Sequence, residues 1–304
     1  AFAGDGTNTA AEQALQIGAN HDGMKFYPLP AGSENSDRGL LVVNHEYSNS
    51  TLYAGDGRSV DADGNPTDPD EVRKDINAHG VSVVELVRDT SGEWSIANTG
   101  FNRRITAGTT MNLSGPVAGT DLVVTAFDTS GMTTRGTVNN CGRGFTPWGT
   151  YLTCEENFNG YFGTEDASWT PSMNQARLGL SNSGFGYGWH KFDPRFDLAN
   201  PDYAGEHNRF GWVVEIDPFN PNAKPIKRTA LGRKKNECAT VTVASDGRAV
   251  VYMGDDERFD YVYKFVSALP WREMRANGES PLDRGTLYVA RFNDNGSGDW
   301  LELS

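Results

Sequence analysis

Long apolar runs are the first thing this chain does without. None of its 304 residues falls in a stretch approaching the ~18 apolar positions of a membrane span. The given sequence does not open on a charged-then-apolar stretch either, so the reading is of a soluble chain with no membrane partner. Basic charge is also short: a formal net charge of -13 excludes the cationic surface that nucleic acid and anionic lipid select. It permits a carboxylate-rich, Ca²⁺-loving protein. Three cysteines are too few for a disulfide scaffold and leave at least one thiol unpaired. The five histidines show neither HxH nor HExxH spacing, which excludes a conventional zinc site; only His45, beside Glu46, stands near other candidate ligands. Nucleophile elbow, P-loop and dinucleotide fingerprint are all missing.

What is present reads as all-β. The 35 glycines and 14 prolines, with few apolar stretches of helical period, argue against an α-rich fold. Weak helical character is confined to residues 9–17 and 269–278. Strand patterns appear at 24–29, 40–46 (LLVVNHE), 80–88 (GVSVVELVR), 93–97, 121–127, 149–156, 211–217, 224–231, 239–244, 248–257, 261–266, 285–292 and 300–303. Residues 51–77 are rich in Asp, Gly and Pro and read as loop. Within them DADGNPTDPDEV imitates an EF-hand, but Pro66 and Val72 stand where glycine and a bidentate glutamate are required. The segment from 157 to 210 reads as a long irregular excursion.

An imperfect repeat organises the strands. LLVVNHE, TYLTCEE and VVYMGDDE each climb through apolar residues and end in carboxylates, and each is followed later by an aliphatic or aromatic strand. Such units suggest a β-propeller, whose axis collects equivalent strand ends. About a dozen strands make roughly three four-stranded blades, an incomplete set with long loop insertions. We read residues 1–304 as one propeller domain.

If the blades share an axis, Glu46, the pair Glu155 and Glu156, and the acids Asp255, Asp256 and Glu257 converge, and converging carboxylates call for cations. Alternation sends one of Glu155 and Glu156 to the axis without saying which. Polar residues also end strands for no chemical reason. Cys141 lies in a glycine-rich loop beside Arg143, a cation that would favour a thiolate suited to iron rather than calcium. Glu237, behind Arg233, Lys234 and Lys235, is a further candidate ligand near cations that could face an anionic substrate. A calcium-dependent propeller hydrolase of the lactonase kind, and a non-catalytic binding module, both fit the acids as well.

The stretch NNCGRGFTPWGTYLTCEEN, from 139 to 157, resembles the PhoX-type alkaline phosphatases. The resemblance extends through NHDGMKFYPL, LLVVNHEY, AHGVSVVEL, GWVVEIDPF, NECATVTVASDGRAVVYMGDDERFDYVYKF and GTLYVARFNDNGSGDWL. It implies a six-bladed propeller, export to the periplasm or beyond by the twin-arginine route, and hydrolysis of small phosphate monoesters at a cluster of Fe³⁺ and Ca²⁺. Cys141 matches the iron-ligating cysteine and Glu237 a metal ligand. Glu46, Glu155, Glu156, Asp255 and Asp256 are further ligand candidates by position, and Arg143 is a candidate for stabilising the phosphoryl charge. Family members are longer at both ends and carry an Arg-Pro-Glu-Trp motif that this sequence lacks, which implies a partial chain. A monomer is expected.

Overall fold

The computed structural model describes residues 3–49, 52–53, 55 and 57–303. Its strands form three sheets laid down in chain order. The first runs β1 (His21–Pro28), β2 (Arg38–His45), β3 (Gly80–Arg88), β4 (Trp94–Ile96), with β5 (Arg103–Ile105) also paired to β3. The second collects β6 (Thr110–Ser114), β7 (Thr133–Arg135), β8 (Asn140–Phe145), β9 (Tyr151–Glu155), β10 (Val213–Ile216) and β11 (Ile226–Arg228), in the order β7-β6-β11-β10-β9-β8. The third is an up-and-down series: β12 (Asn236–Val243), β13 (Arg248–Asp255), β14 (Val262–Pro270), β15 (Gly285–Phe292) and β16 (Gly298–Leu303).

Burial explains why the central strands are apolar almost without alternation. β2 is covered on both faces, so Leu40, Val42 and Val43 are all buried. Tyr27, Leu40, Val42, Val81 and Val83 of the first sheet meet Met111, Tyr151, Val214 and Ile216 of the second in one core. Leu152, Cys154 and Val213, from the other face of the second sheet, meet Ala239, Val251, Met253 and Phe265 of the third. The second sheet is thus packed face to face between its neighbours, the stacking of propeller blades. The strands β1, β8 and β12 line up along one side. A Cβ on Gly144 would lie 1.8 Å from the Ala239 carbonyl oxygen, so glycine is what lets β8 press against β12.

Three expectations change. Residues 69–78, read as loop, form a helix that buries Val72 and Ile76; Asp68 caps it through the amides of Asp70 and Glu71, and Pro69 opens it. Residues 121–127 are not a strand: 121–123 make a single 3₁₀ turn that buries Val123. The excursion after 157 is no solvated loop. Phe158, Tyr161, Phe162, Leu180, Trp189, Phe196 and Phe210 pack with Val72 and Ile76 into a core of their own. Its aromatics are spaced by turns rather than by a helical or strand period, so no periodicity exposes it. All three cysteines are free thiols. Among the described residues no helix is long and apolar enough to cross a membrane.

Candidate metal centre

The same irregularity recurs at the same end of β1, β8 and β12. In β8, Asn140 pairs with Glu155 and Arg143 with Thr153, so Cys141 and Gly142 together oppose Cys154 alone. In β1, Asp22 and Gly23 oppose Asn44; in β12, Glu237 and Cys238 oppose Gly254. Each is a β-bulge, which re-aims the extra side chain out of the ladder. The residue following each partner strand is then tied back to the bulged strand. Glu46 N donates to Asn20 O at 3.1 Å, Glu156 N to Asn139 O at 3.0 Å, and Asp256 N to Lys235 O at 3.0 Å. Glycine follows the first bulge residue twice because the strands nearly touch. A Cβ on Gly142 would sit 2.4 Å from the Glu237 carbonyl oxygen, and one on Gly23 3.0 Å from that of Cys141.

Three sheets therefore deliver equivalent groups to one place. Ligand atoms of Asp22, Glu46 and Cys141 lie within 4.8 Å of one another, as do those of Cys141, Glu156 and Glu237. Cys141 Sγ–H donates to Glu156 Oε2 at 3.1 Å. Burial raises Glu46, Glu156 and Glu237 above the ordinary carboxyl range, and the charges of their acidic neighbours add to it; Glu156 is pushed to about 7. Asp256 contributes to the field on both Glu156 and Glu237. Burial likewise drives the Cys141 thiol far up, reinforced by the bond to Glu156 and by the charges of Glu156, Glu46 and Glu237. A thiol and carboxyls that cannot all ionise together are a donor set that fits cations: carboxylate oxygens for a hard ion, one sulfur for a softer one.

The paired acids separate by side of the strand. Glu155 points into its own blade, where Lys227 Nζ reaches Oε1 at 2.7 Å and the amides of Gly211 and Trp212 donate to Oε2 at 3.0 and 3.1 Å. Both its oxygens are engaged away from the cluster. Asp255 occupies the equivalent position; its Oδ1 accepts from the amides of Lys235 and Glu257, each at 3.3 Å. His45, third of the set, bonds Ser82 Oγ at 2.7 Å and is held neutral, its pKa pushed down to about 2 by burial and then by Arg104.

Arg143 does not face the Cys141 thiol. Its guanidinium lies over the Phe145 ring, 5.8 Å from the centroid, where Lys25 also sits at 4.2 Å. The thiolate-favouring cation read from the sequence is replaced by carboxylates, so the metal-free thiol stays protonated. Lys235 pairs with Glu257, and Lys234 is buried against the Leu231 carbonyl at 3.0 Å. Asp22 went unnoticed in the sequence. Its signal was there, in the match of Asn20-His-Asp-Gly to Asn139-Asn-Cys-Gly, with proline following at Pro28 and Pro147.

Compared with known families, residues 2–304 match the one described as Alkaline phosphatase PhoX. No curated protein matches the chain. Among solved structures it is similar to Pseudomonas fluorescens PhoX in complex with vanadate, a transition state analogue, with a TM-score of 0.91 and 45% sequence identity. The alignment covers 100% of this chain and 52% of that one, so the chain spans about half the length of that protein.

Proposed function

This chain belongs to the PhoX alkaline phosphatase family, and on that premise we propose that it hydrolyses phosphate monoesters at a mixed iron and calcium cluster held on its three bulged strands. The convergence of Asp22, Glu46, Cys141, Glu156 and Glu237 from separate sheets, with burial raising the pKa of the thiol and of three carboxyls, carries the reading. We assign the iron-facing role to Cys141 and carboxylate ligation to Asp22, Glu46, Glu156 and Glu237. Asp256, exposed and acting on Glu156 and Glu237, stands at the rim as a further ligand. Glu155 and Asp255 we leave to the blades, and Arg143 to the β1–β8 seam.

Bound metals would neutralise phosphoryl charge and polarise the scissile P–O bond. The chain's own residues prepare the site. On metal binding Cys141 would release to solvent the proton it now donates to Glu156, and the bulges fix where both groups point. The three sheets act in this reading as one propeller domain, six-bladed in the complete family fold. Periplasmic or secreted placement and a monomeric state complete it, both resting on family resemblance and composition.

Metal analysis of the isolated protein, followed by p-nitrophenyl phosphate hydrolysis with and without chelator, tests this. Iron and calcium together with chelator-sensitive activity are expected. Full activity in exhaustively chelated protein would overturn it.

A further inference from the structure

The side chains that would bind metal come from different sheets, and sheet hydrogen bonds alone do not set their separation. Behind the cluster a buried set of polar groups runs from His79, beside the first sheet, to the turn of the second sheet that carries Glu156. His79, fully buried at the C-terminus of the helix over 69–78 and just before β3, has Nδ1 2.7 Å from the Asp75 carbonyl oxygen and Nε2 3.0 Å from the Tyr161 hydroxyl. A carbonyl only accepts, so Nδ1 carries the proton and Nε2 accepts from Tyr161. Tyr161 Oη, its one proton directed to His79, in turn accepts from Asn139 Nδ2 at 3.2 Å. The Glu46 carbonyl, 3.4 Å from the same hydroxyl, is the more distant competitor for that proton.

Asn139 passes this order on. Its Oδ1 accepts from Asn157 N at 2.6 Å and its carbonyl from Glu156 N at 3.0 Å, so both of its ends grip the turn that carries Glu156. It also stands two residues before Cys141, in the left-handed conformation at φ 47° that starts the bulged strand. Tyr161 itself cannot drift: it is 1% exposed and stacked on Tyr187 at 4.5 Å between ring centroids.

We propose that His79, Tyr161 and Asn139 are positioning residues, a one-way hydrogen-bond relay that holds Cys141 and Glu156 in the arrangement a metal requires. The inference rests on the reading of that cluster as a metal centre. Partners behind metal ligands commonly govern affinity by about 10- to 100-fold. Tyr161→Phe keeps the ring stack but removes the acceptor for Asn139 and the donor for His79 together. Asn139→Gly keeps the left-handed backbone and removes both side-chain bonds.

The test is equilibrium binding of Ca²⁺ alone and of Fe³⁺ alone to chelator-stripped protein, with the thiolate-to-iron absorption band recorded and the melting temperature taken without metal. Both variants are expected to bind about 10- to 100-fold more weakly, with the band weakened or shifted. If wild type binds and both variants match it in affinity and band, the relay is only packing and the inference fails, whatever the melting temperatures. If either variant does not fold, the other decides. If wild type binds neither ion and Cys141→Ser behaves identically, the metal-centre reading itself has failed.

Discussion

Glu156→Gln should make the metal-free protein more stable and the metal-loaded protein less so. In the metal-free chain Glu156 has its pKa raised from 4.5 to about 7, by burial first and then by Glu237, Asp256 and Glu46. A raised carboxyl binds its proton more tightly folded than unfolded. Its stabilising contribution is complete below pH 4.5 and is lost as pH rises through about 7. At pH 8 the difference amounts to about 3 kcal/mol at 1.4 kcal/mol per pKa unit. Water reaching the exposed Asp22 side of the cluster reduces it to about 2 kcal/mol. Glutamine keeps the shape and removes the charge, so at pH 8 in chelator it should raise the melting temperature by about 4 °C, at about 2 °C per kcal/mol for a chain this long. Below pH 4.5 the gain should vanish. Adding Ca²⁺ and Fe³⁺ should reverse the order, because the glutamine has lost an anionic ligand. Thermal melts of both proteins at pH 4 and 8, with and without metal, read all four cases. A variant no more stable than wild type in chelator at pH 8, or one stabilised by metal as strongly as wild type, would refute the reasoning.

Other outcomes follow from the same geometry. Cys141→Ser should lose iron and the thiolate-to-iron absorption band by elemental analysis and spectroscopy, while folding is retained because the serine hydroxyl can still donate to Glu156. Lys227→Met strands Glu155 as an unpaired buried charge and should cost about 3–5 kcal/mol in denaturant unfolding. Phosphate-ester hydrolysis by the folded fraction should change little, since neither group reaches the cluster. Gly142→Ala forces a Cβ to within 2.4 Å of the Glu237 carbonyl oxygen and should part β8 from β12. We expect about 1–3 kcal/mol of destabilisation and weaker metal binding, read by calorimetry.

The strands β2 and β3 were legible because burial on both faces favours Val and Leu almost without alternation. The acid-ended repeat was legible for a related reason: polar residues must close a buried strand, and here they do so identically in three sheets. The aromatic core of residues 158–210 was not legible. It is assembled from turns, and turns leave no period to count. Helix 69–78 was hidden by the loop signals before it, although Asp68-Pro69 is an N-cap followed by an N1 proline.

By itself the sequence determined an all-β chain and the acid-rich strand ends, because these depend on residue type and on a period of two. Tertiary structure alone decided between neighbours. Glu156 rather than Glu155 faces the cluster because the pairing of Asn140 with Glu155 ends the ladder one residue earlier, and that register is set by contacts between residues 15 positions apart. Asp22 joins the site, and Arg143 turns away from it, for the same reason. A bulge shifts which side of a strand each later residue faces, and whether a bulge forms depends on the neighbouring blade pressing against it.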